Sequence, residues 1–239
     1  MDAVYVCRSG YNEELRYSLR SLANLPEIER VWIFGDPPRW VDGSTVNIVR
    51  VRQVGNKYEN ARAGILSATG WPGVSKTFAL FNDDFFTMRP TSIPVAHMGP
   101  TRDVIARYRE ILVKDSRYVV KMNETREALV AAGIAEPLCY ELHIPMIFEK
   151  RALREILLSS CAVAGMLFRS YYGNTVGPAG VEMDDVKVGE ASDPIPRGDW
   201  LSCNDETFRV VKPLLEEAFP DPGPYETGPD RRVTVGVLI

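Results

Sequence analysis

Short apolar runs alternate with helically spaced leucines along the first part of the chain. Asp2-Ala3-Val4-Tyr5-Val6-Cys7 is rich in β-formers and reads as a buried first strand. Arg8-Ser9-Gly10-Tyr11 follows as a turn. Asn12 is a suitable N-cap, Glu13 and Glu14 suit a first helical turn, and Leu15, Leu19 and Leu22 make one apolar stripe. The pattern predicts a helix from about Asn12 to Asn24, ended before Pro26. Val31-Trp32-Ile33-Phe34 predicts a second strand, broken by Gly35-Asp36-Pro37-Pro38, and Val46 to Val51 predicts a third. Asn60 to Ala68 has the spacing of a helix, closed by Gly70 and Pro72. Thr77 to Phe81 then predicts a strand that runs directly into Asn82-Asp83-Asp84. Strands alternating with helices predict a mainly parallel sheet covered by helices.

The second half is less regular. Helices are expected at Thr125 to Ala132, stopped by Gly133, and at Lys150 to Leu158. The stretch 177–199, rich in Gly, Pro and acids, predicts a long loop. Asp205 to Phe219 predicts a last helix that Pro213 kinks or splits. Val233 to Ile239 reads as a strand that must dock, because an exposed one would pair with other chains.

Composition narrows the function classes. A chain of 239 residues can bury one sizeable core, and its 45% hydrophobic and 25% charged residues are ordinary for a globular protein. A net charge of −4 gives no general pull toward nucleic acid or anionic membranes. Cys7, Cys139, Cys161 and Cys203 are widely spaced with no CxxC pair, which argues against a zinc cluster or a disulfide framework. No apolar run approaches the roughly 18–20 residues of a membrane span, and no signal pattern opens the chain, so the expected location is cytoplasmic.

Candidate chemistry centres on Asn82-Asp83-Asp84. Side chains at the carboxyl end of a strand face the crevice where open α/β sheets bind ligands. Carboxylate oxygens there suit Mg²⁺ or Mn²⁺ bridging a diphosphate. Successive strand side chains face opposite ways, so one of Asp83 and Asp84 can ligate while the other holds the loop. A turn with solvated acids explains the same residues equally well. His143, polar within Tyr140-Glu141-Leu142-His143-Ile144-Pro145-Met146, fits either a buried structural histidine or a general base. Arg169, among Phe168, Tyr171 and Tyr172, fits either aromatic stacking or a forked donor to phosphate, and Arg8 is a second phosphate candidate. Asn204 and Asp205 open the last helix, as a cap or as part of a metal site.

Read in order, these pieces resemble the Stealth family of sugar-phosphate transferases. The resemblance rests on Asp2 to Val6, and on Asn12-Glu13-Glu14-Leu15-Arg16-Tyr17-Ser18-Leu19-Arg20-Ser21-Leu22 with Val31 to Phe34, Pro38-Arg39-Trp40 and Phe81-Asn82-Asp83-Asp84. It continues through Glu141 to Met146 with Phe168-Arg169-Ser170, then Cys203-Asn204-Asp205, Ala218-Phe219-Pro220 and Tyr225-Glu226. The resemblance implies a GT-A-like, Rossmann-type α/β fold with a mainly parallel sheet, a nucleotide-sugar donor and a divalent metal. It implies one catalytic domain with a nucleotide-binding half over 1–90 and an acceptor-side half over 91–239. It further implies catalytic roles for Asp83 or Asp84, His143 and Arg169. Metal ligation is expected from Asp83 or Asp84, with Asn204 or Asp205, and donor binding from Arg8, Asn12 and Asn82. Where the family carries an acid and a histidine, this chain has Arg62 and Gly64, and Arg62 is a further candidate for gripping a donor phosphate. The expected reaction moves a sugar-1-phosphate to a hydroxyl acceptor, a glycan in preference to protein or DNA. Transfer of the sugar alone, and an inactive sugar-binding module, are the alternatives.

Overall fold

The structure is a computed structural model, described for residues 1–111, 116–159 and 166–227. The chain divides into two compact units. The first contains Met1–Ile93, His143–Ile147 and the segment from Val186; the second contains Pro94–Leu142 and Phe148–Asp185. The leading segment of the first unit ends at Ile93. The return of the chain to the first unit at Val186 departs from a simple division into halves.

The first unit is a Rossmann-like α/β structure. Its sheet belongs to a five-stranded order β3-β2-β1-β4-β7, with β1 Asp2–Cys7, β2 Arg30–Gly35, β3 Val46–Val49, β4 Thr77–Phe81 and β7 Met146–Glu149, of which Met146 and Ile147 fall in the first unit. β1 runs parallel to both β2 and β4, and β2 parallel to β3. Ala3, Val4, Tyr5, Ile33, Phe34, Phe78 and Phe81 are buried, as expected of strands covered on both faces. The chain moves outward from β1 to β3, then crosses back to β4 on the other side of β1. The carboxyl ends of β1 and β4 therefore flank a topological switch point, where ligands of open α/β sheets bind.

Two helices bracket that point. α1 (Glu14–Ser21) continues into a 3₁₀ turn over Leu22–Asn24, together matching the expected helix, and buries Leu15 and Leu19. α2 (Lys57–Gly70) starts earlier than expected, because Asn56 and Glu59 form a capping box. Gly64 lets α2 approach β1, since a Cβ there would lie 2.5 Å from Val6 Cγ1.

A short antiparallel pair, β5 (Phe85–Thr87) with β9 (Trp200–Ser202), brings the C-terminal segment back beside the Asp83–Asp84 turn. The last helix of the described chain, α7 (Phe208–Ala218), keeps Pro213 inside it rather than splitting there. Phe86, Leu201, Cys203, Phe208, Val211 and Leu215 form a small core around this pair. The predicted strand Val233 to Ile239 and Cys161 lie outside the described residues.

The second unit is mainly helical, with α3 (Thr101–Ile111), α4 (Arg117–Ala131), α5 (Lys150–Leu158) and α6 (Phe168–Thr175). Its only described strands are the two-residue parallel pair β6 (Ala96–His97) and β8 (Val181–Glu182), the latter inside the expected loop 177–199. No described helix is long and apolar enough to cross a membrane.

Candidate functional site

The site forms because β1 and β4 end side by side. Tyr5 pairs with Phe81, so the residues after Cys7 and after Phe81 emerge together. Asn82, Asp83 and Asp84 make a tight turn, with Phe85 N–H donating to the Asn82 carbonyl at 3.4 Å. Across the switch point, Asn12 Nδ2 donates to Asp83 Oδ2 at 2.6 Å. The same amide accepts from Leu15 N–H at 3.0 Å through Oδ1. Asn12 thus caps α1 and holds Asp83 at once, and it is almost fully buried.

Asp84 is placed differently. Its Oδ2 lies 3.9 Å from Lys187 Nζ, and its buried Oδ1 has no hydrogen-bond partner among the described residues. Burial, reinforced by the neighbouring Asp83 charge and only partly offset by Lys187, pushes the Asp84 carboxyl up to about 7. Burial also raises Asp83 above the usual aspartate range, against the opposing effects of Asn12 and Arg8. Glu14 is raised too, by burial and then by the charges of Asp83 and Asp205. For all three acids burial is the main cause, with the charges of neighbouring acids adding to it.

Arg8 leaves the end of β1 and reaches Asp205, Nη2 to Oδ2 at 3.0 Å. Both side chains are exposed, so the pair is weak and open to exchange for another anion. Asn204 is occupied: Oδ1 accepts from Glu206 N–H at 3.0 Å and Thr207 N–H at 2.9 Å, while Nδ2 donates to the Gly189 carbonyl at 2.9 Å. In this structure it shapes the turn before α7, and Asp205 is the member of the pair that faces Arg8. Asn82 is exposed at the start of the acidic turn, and Arg62 is half-buried on α2.

His143 lies within the first unit, its ring edge-on to Phe85 at 6.3 Å between centroids. It therefore stands beside the residue that follows Asp84. Arg169 belongs to the second unit, where it is half-buried on α6. Burial lowers its pKa, against the opposing charges of Glu141, Tyr118 and Asp185. Glu141 in turn accepts from Ser170 N–H and Ser170 Oγ, each at 2.9 Å.

Beside the acids, a cavity of about 660 Å³ opens over the ends of β1 and β2. Tyr11, Asn12, Arg16, Asp36, Trp40 and Arg50 line it. Asp36 pairs with Arg50, and Arg16 stacks on Trp40 with its guanidinium carbon 4.8 Å from the ring centroid. Asn12 is shared by both places, lining the cavity and bonding Asp83.

Lys187 and Glu14 are site residues that the sequence alone did not mark for chemistry. Lys187 lies in the expected loop, and only its bridge to Ser202 beside β9 brings it to Asp84. The sequence gives Glu14 a plain role in the first helical turn, and the Asn12 cap is the signal that places it near the acids. Among the described residues, no three His, Cys, Asp or Glu side chains converge as a ready metal cage.

No family model matches the chain. No curated protein matches it either.

Proposed function

We propose that the chain is a divalent-cation-dependent transferase with a nucleotide-sugar donor, related to the Stealth sugar-phosphate transferases and GT-A-like in its first unit. The observation that carries this reading is Asn12 bonded to Asp83 across the β1/β4 switch point, beside a buried Asp84 oxygen with no hydrogen-bond partner among the described residues.

The residues fit a cation. A buried carboxylate oxygen without a donor is costly unless something positive meets it, and Asp84 Oδ1 is such an atom. Asp84 and Asp83 would hold Mg²⁺ or Mn²⁺, with the remaining positions left to the diphosphate and water, the arrangement Mg²⁺ favours. The cation supplies neutralisation of the diphosphate charge as the donor's leaving group departs.

The chain's own residues then divide the work. The cavity over β1 and β2 receives the nucleoside, with Trp40 and Tyr11 offering aromatic faces and Asp36 an acceptor for ribose hydroxyls. Arg8, held only by an exposed pair, moves from Asp205 to a donor phosphate oxygen. His143 takes the proton of the acceptor hydroxyl, whose oxygen attacks the phosphorus next to the sugar. The bond from that phosphorus to the bridging oxygen breaks, a nucleoside monophosphate leaves, and the acceptor carries a sugar-1-phosphate diester.

The test is incubation with a panel of nucleotide sugars and Mn²⁺, followed by identification of the released nucleotide. Monophosphate supports phosphotransfer. Diphosphate would replace it with glycosyl transfer at the same site. Failure to turn over or bind any donor would remove the transferase reading and leave a non-catalytic module.

A further inference from the structure

One wall of the cavity is held from the far end of the described chain. After α7, residues Gly223 to Thr227 strap back over α1 and the loop following β2. Asp42 N–H donates to the Tyr225 carbonyl at 2.8 Å, and Thr227 N–H donates to the Trp40 carbonyl at 2.7 Å. Thr227 Oγ1 donates to that same carbonyl at 3.1 Å. Val41 and Glu226 form an antiparallel bridge, so Trp40 and its neighbour are tied by backbone to the strap.

Glu226 is the centre of this strap. Its side chain is 5% exposed, and its carboxylate accepts from Arg20 through Nε at 2.5 Å and Nη2 at 3.1 Å. Gly223 N–H donates to Oε1 at 2.9 Å. Arg20 also donates to the Phe219 carbonyl at 2.8 Å, which fixes the chain where it leaves α7. The second carboxylate oxygen lies 3.4 Å from Arg16 Nε. Arg16 is the residue whose guanidinium stacks on Trp40, and both line the cavity.

A forked arginine–carboxylate pair has fixed geometry, so Arg20 sets where the Glu226 carboxylate sits. That carboxylate attracts the Arg16 guanidinium, one turn away on the same face of α1, by charge and without a hydrogen bond to Nε. We infer that Glu226 is a positioning residue for the Arg16–Trp40 wall, and that through it the C-terminal strap governs how tightly the cavity holds the nucleoside of a donor. The second clause rests on the donor reading above; the first does not.

The wall is read by acrylamide quenching of tryptophan fluorescence in a cycle of Glu226→Gln, Trp40→Phe and the double variant. Glu226→Gln is expected to increase quenching when Trp40 is present and to change nothing in the Trp40→Phe background. A general loosening would raise quenching in both backgrounds and would overturn the inference, as would no change in either. Arg16→Gln keeps the Arg20–Glu226 pair, and so serves if Glu226→Gln does not fold. It should give the same Trp40-confined increase, and unchanged quenching would overturn the inference. Calorimetric titration with UDP, GDP, CDP and ADP in Mn²⁺ addresses the nucleoside. Binding weakened about tenfold, equivalent to roughly 1.4 kcal/mol, is expected in Glu226→Gln. Equal affinity in the two proteins would overturn the strap's control of binding. Absence of binding to the unsubstituted chain would remove the donor reading and that clause with it, while the quenching cycle still decides the wall.

Discussion

Asn12 and Asp83, seventy-one positions apart, meet through a 2.6 Å hydrogen bond that joins the carboxyl ends of β1 and β4. The donor is fixed because Asn12 Oδ1 is committed to Leu15 N–H, which leaves Nδ2 facing the carboxylate. The start of α1 and the acidic turn are therefore one structural unit. Whatever binds between the two strand ends meets a carboxylate already oriented.

Replacing Asn12 by Ala removes a buried donor to a carboxylate together with a helix cap. The expected loss is about 2–3 kcal/mol of unfolding free energy, read by urea denaturation. Asn12→Asp keeps the cap but sets a second carboxylate against Asp83. Its loss should therefore grow as pH rises from 5 to 8, more steeply than that of Asn12→Ala, which only removes the donor that holds the Asp83 carboxyl down.

Asp84 gives a pH dependence of definite sign. Its folded value of about 7 lies above the ordinary aspartate value, so the native state keeps a proton that the unfolded chain has lost. Stability contributed by this group is present in full at low pH and declines as pH rises toward 7. Asp84→Asn should raise the melting temperature at pH 8 and change little at pH 4, by up to about 4 kcal/mol at the higher pH. Differential scanning calorimetry without added metal checks this, and Mn²⁺ should recover part of the difference in the unsubstituted protein.

Glu226 behaves in the opposite sense. Burial pushes it up, but Arg20, Gly223 N–H and Arg16 outweigh burial and hold it below the usual glutamate range. The unfolded chain therefore takes up a proton first as pH falls. The contribution is present above about pH 4.3 and is lost as pH drops through the folded value. Urea midpoints between pH 6 and pH 3 should fall less steeply in Glu226→Gln. At neutral pH the same change breaks a buried pair, at about 3 kcal/mol or more.

Two glycines separate backbone from side-chain crowding. Gly35, at φ +139°, would place a Cβ 1.9 Å from the Cys7 carbonyl oxygen. That oxygen already accepts from Asp36 N–H and from Gln53 Nε2 at 2.7 Å, so it has nowhere to move. The atoms nearest a Cβ at Gly64 all belong to the Val6 side chain. Gly35→Ala is expected to cost more than Gly64→Ala, the latter about 1–3 kcal/mol, in parallel denaturation curves.

These relationships show how far the sequence can be read. Asp2–Cys7, Thr77–Phe81 and Lys150–Leu158 carry dense local signals, and the structure places the elements on those residues. α3 carries no clear sequence signal because Arg102, Asp103, Arg107, Arg109 and Glu110 crowd it, leaving Val104 and Ile105 as a thin buried stripe. α4 begins at Arg117, eight residues before Thr125, because Ser116 caps it while Val119 and Val120 weaken its helical signal. Asn56 and Glu59 have the spacing of a capping box, a local signal that the expected start at Asn60 leaves unused. The pairing of β5 with β9 joins residues more than a hundred apart, and no local periodicity encodes it. Asp83 and Asp84 were legible as acids at a strand end. Their different surroundings, an amide for one and a lysine for the other, depend on those long-range pairings.

The central claim is that the acids at the β1/β4 switch point hold a cation on a nucleotide diphosphate. Its most direct measurement is calorimetric titration of the chain with nucleoside diphosphates, with and without Mn²⁺, alongside Asp84→Asn. The account predicts binding of at least one diphosphate that requires Mn²⁺ and is lost in Asp84→Asn while the variant remains folded. Binding that is indifferent to both Mn²⁺ and Asp84, or no binding of any diphosphate, would contradict it.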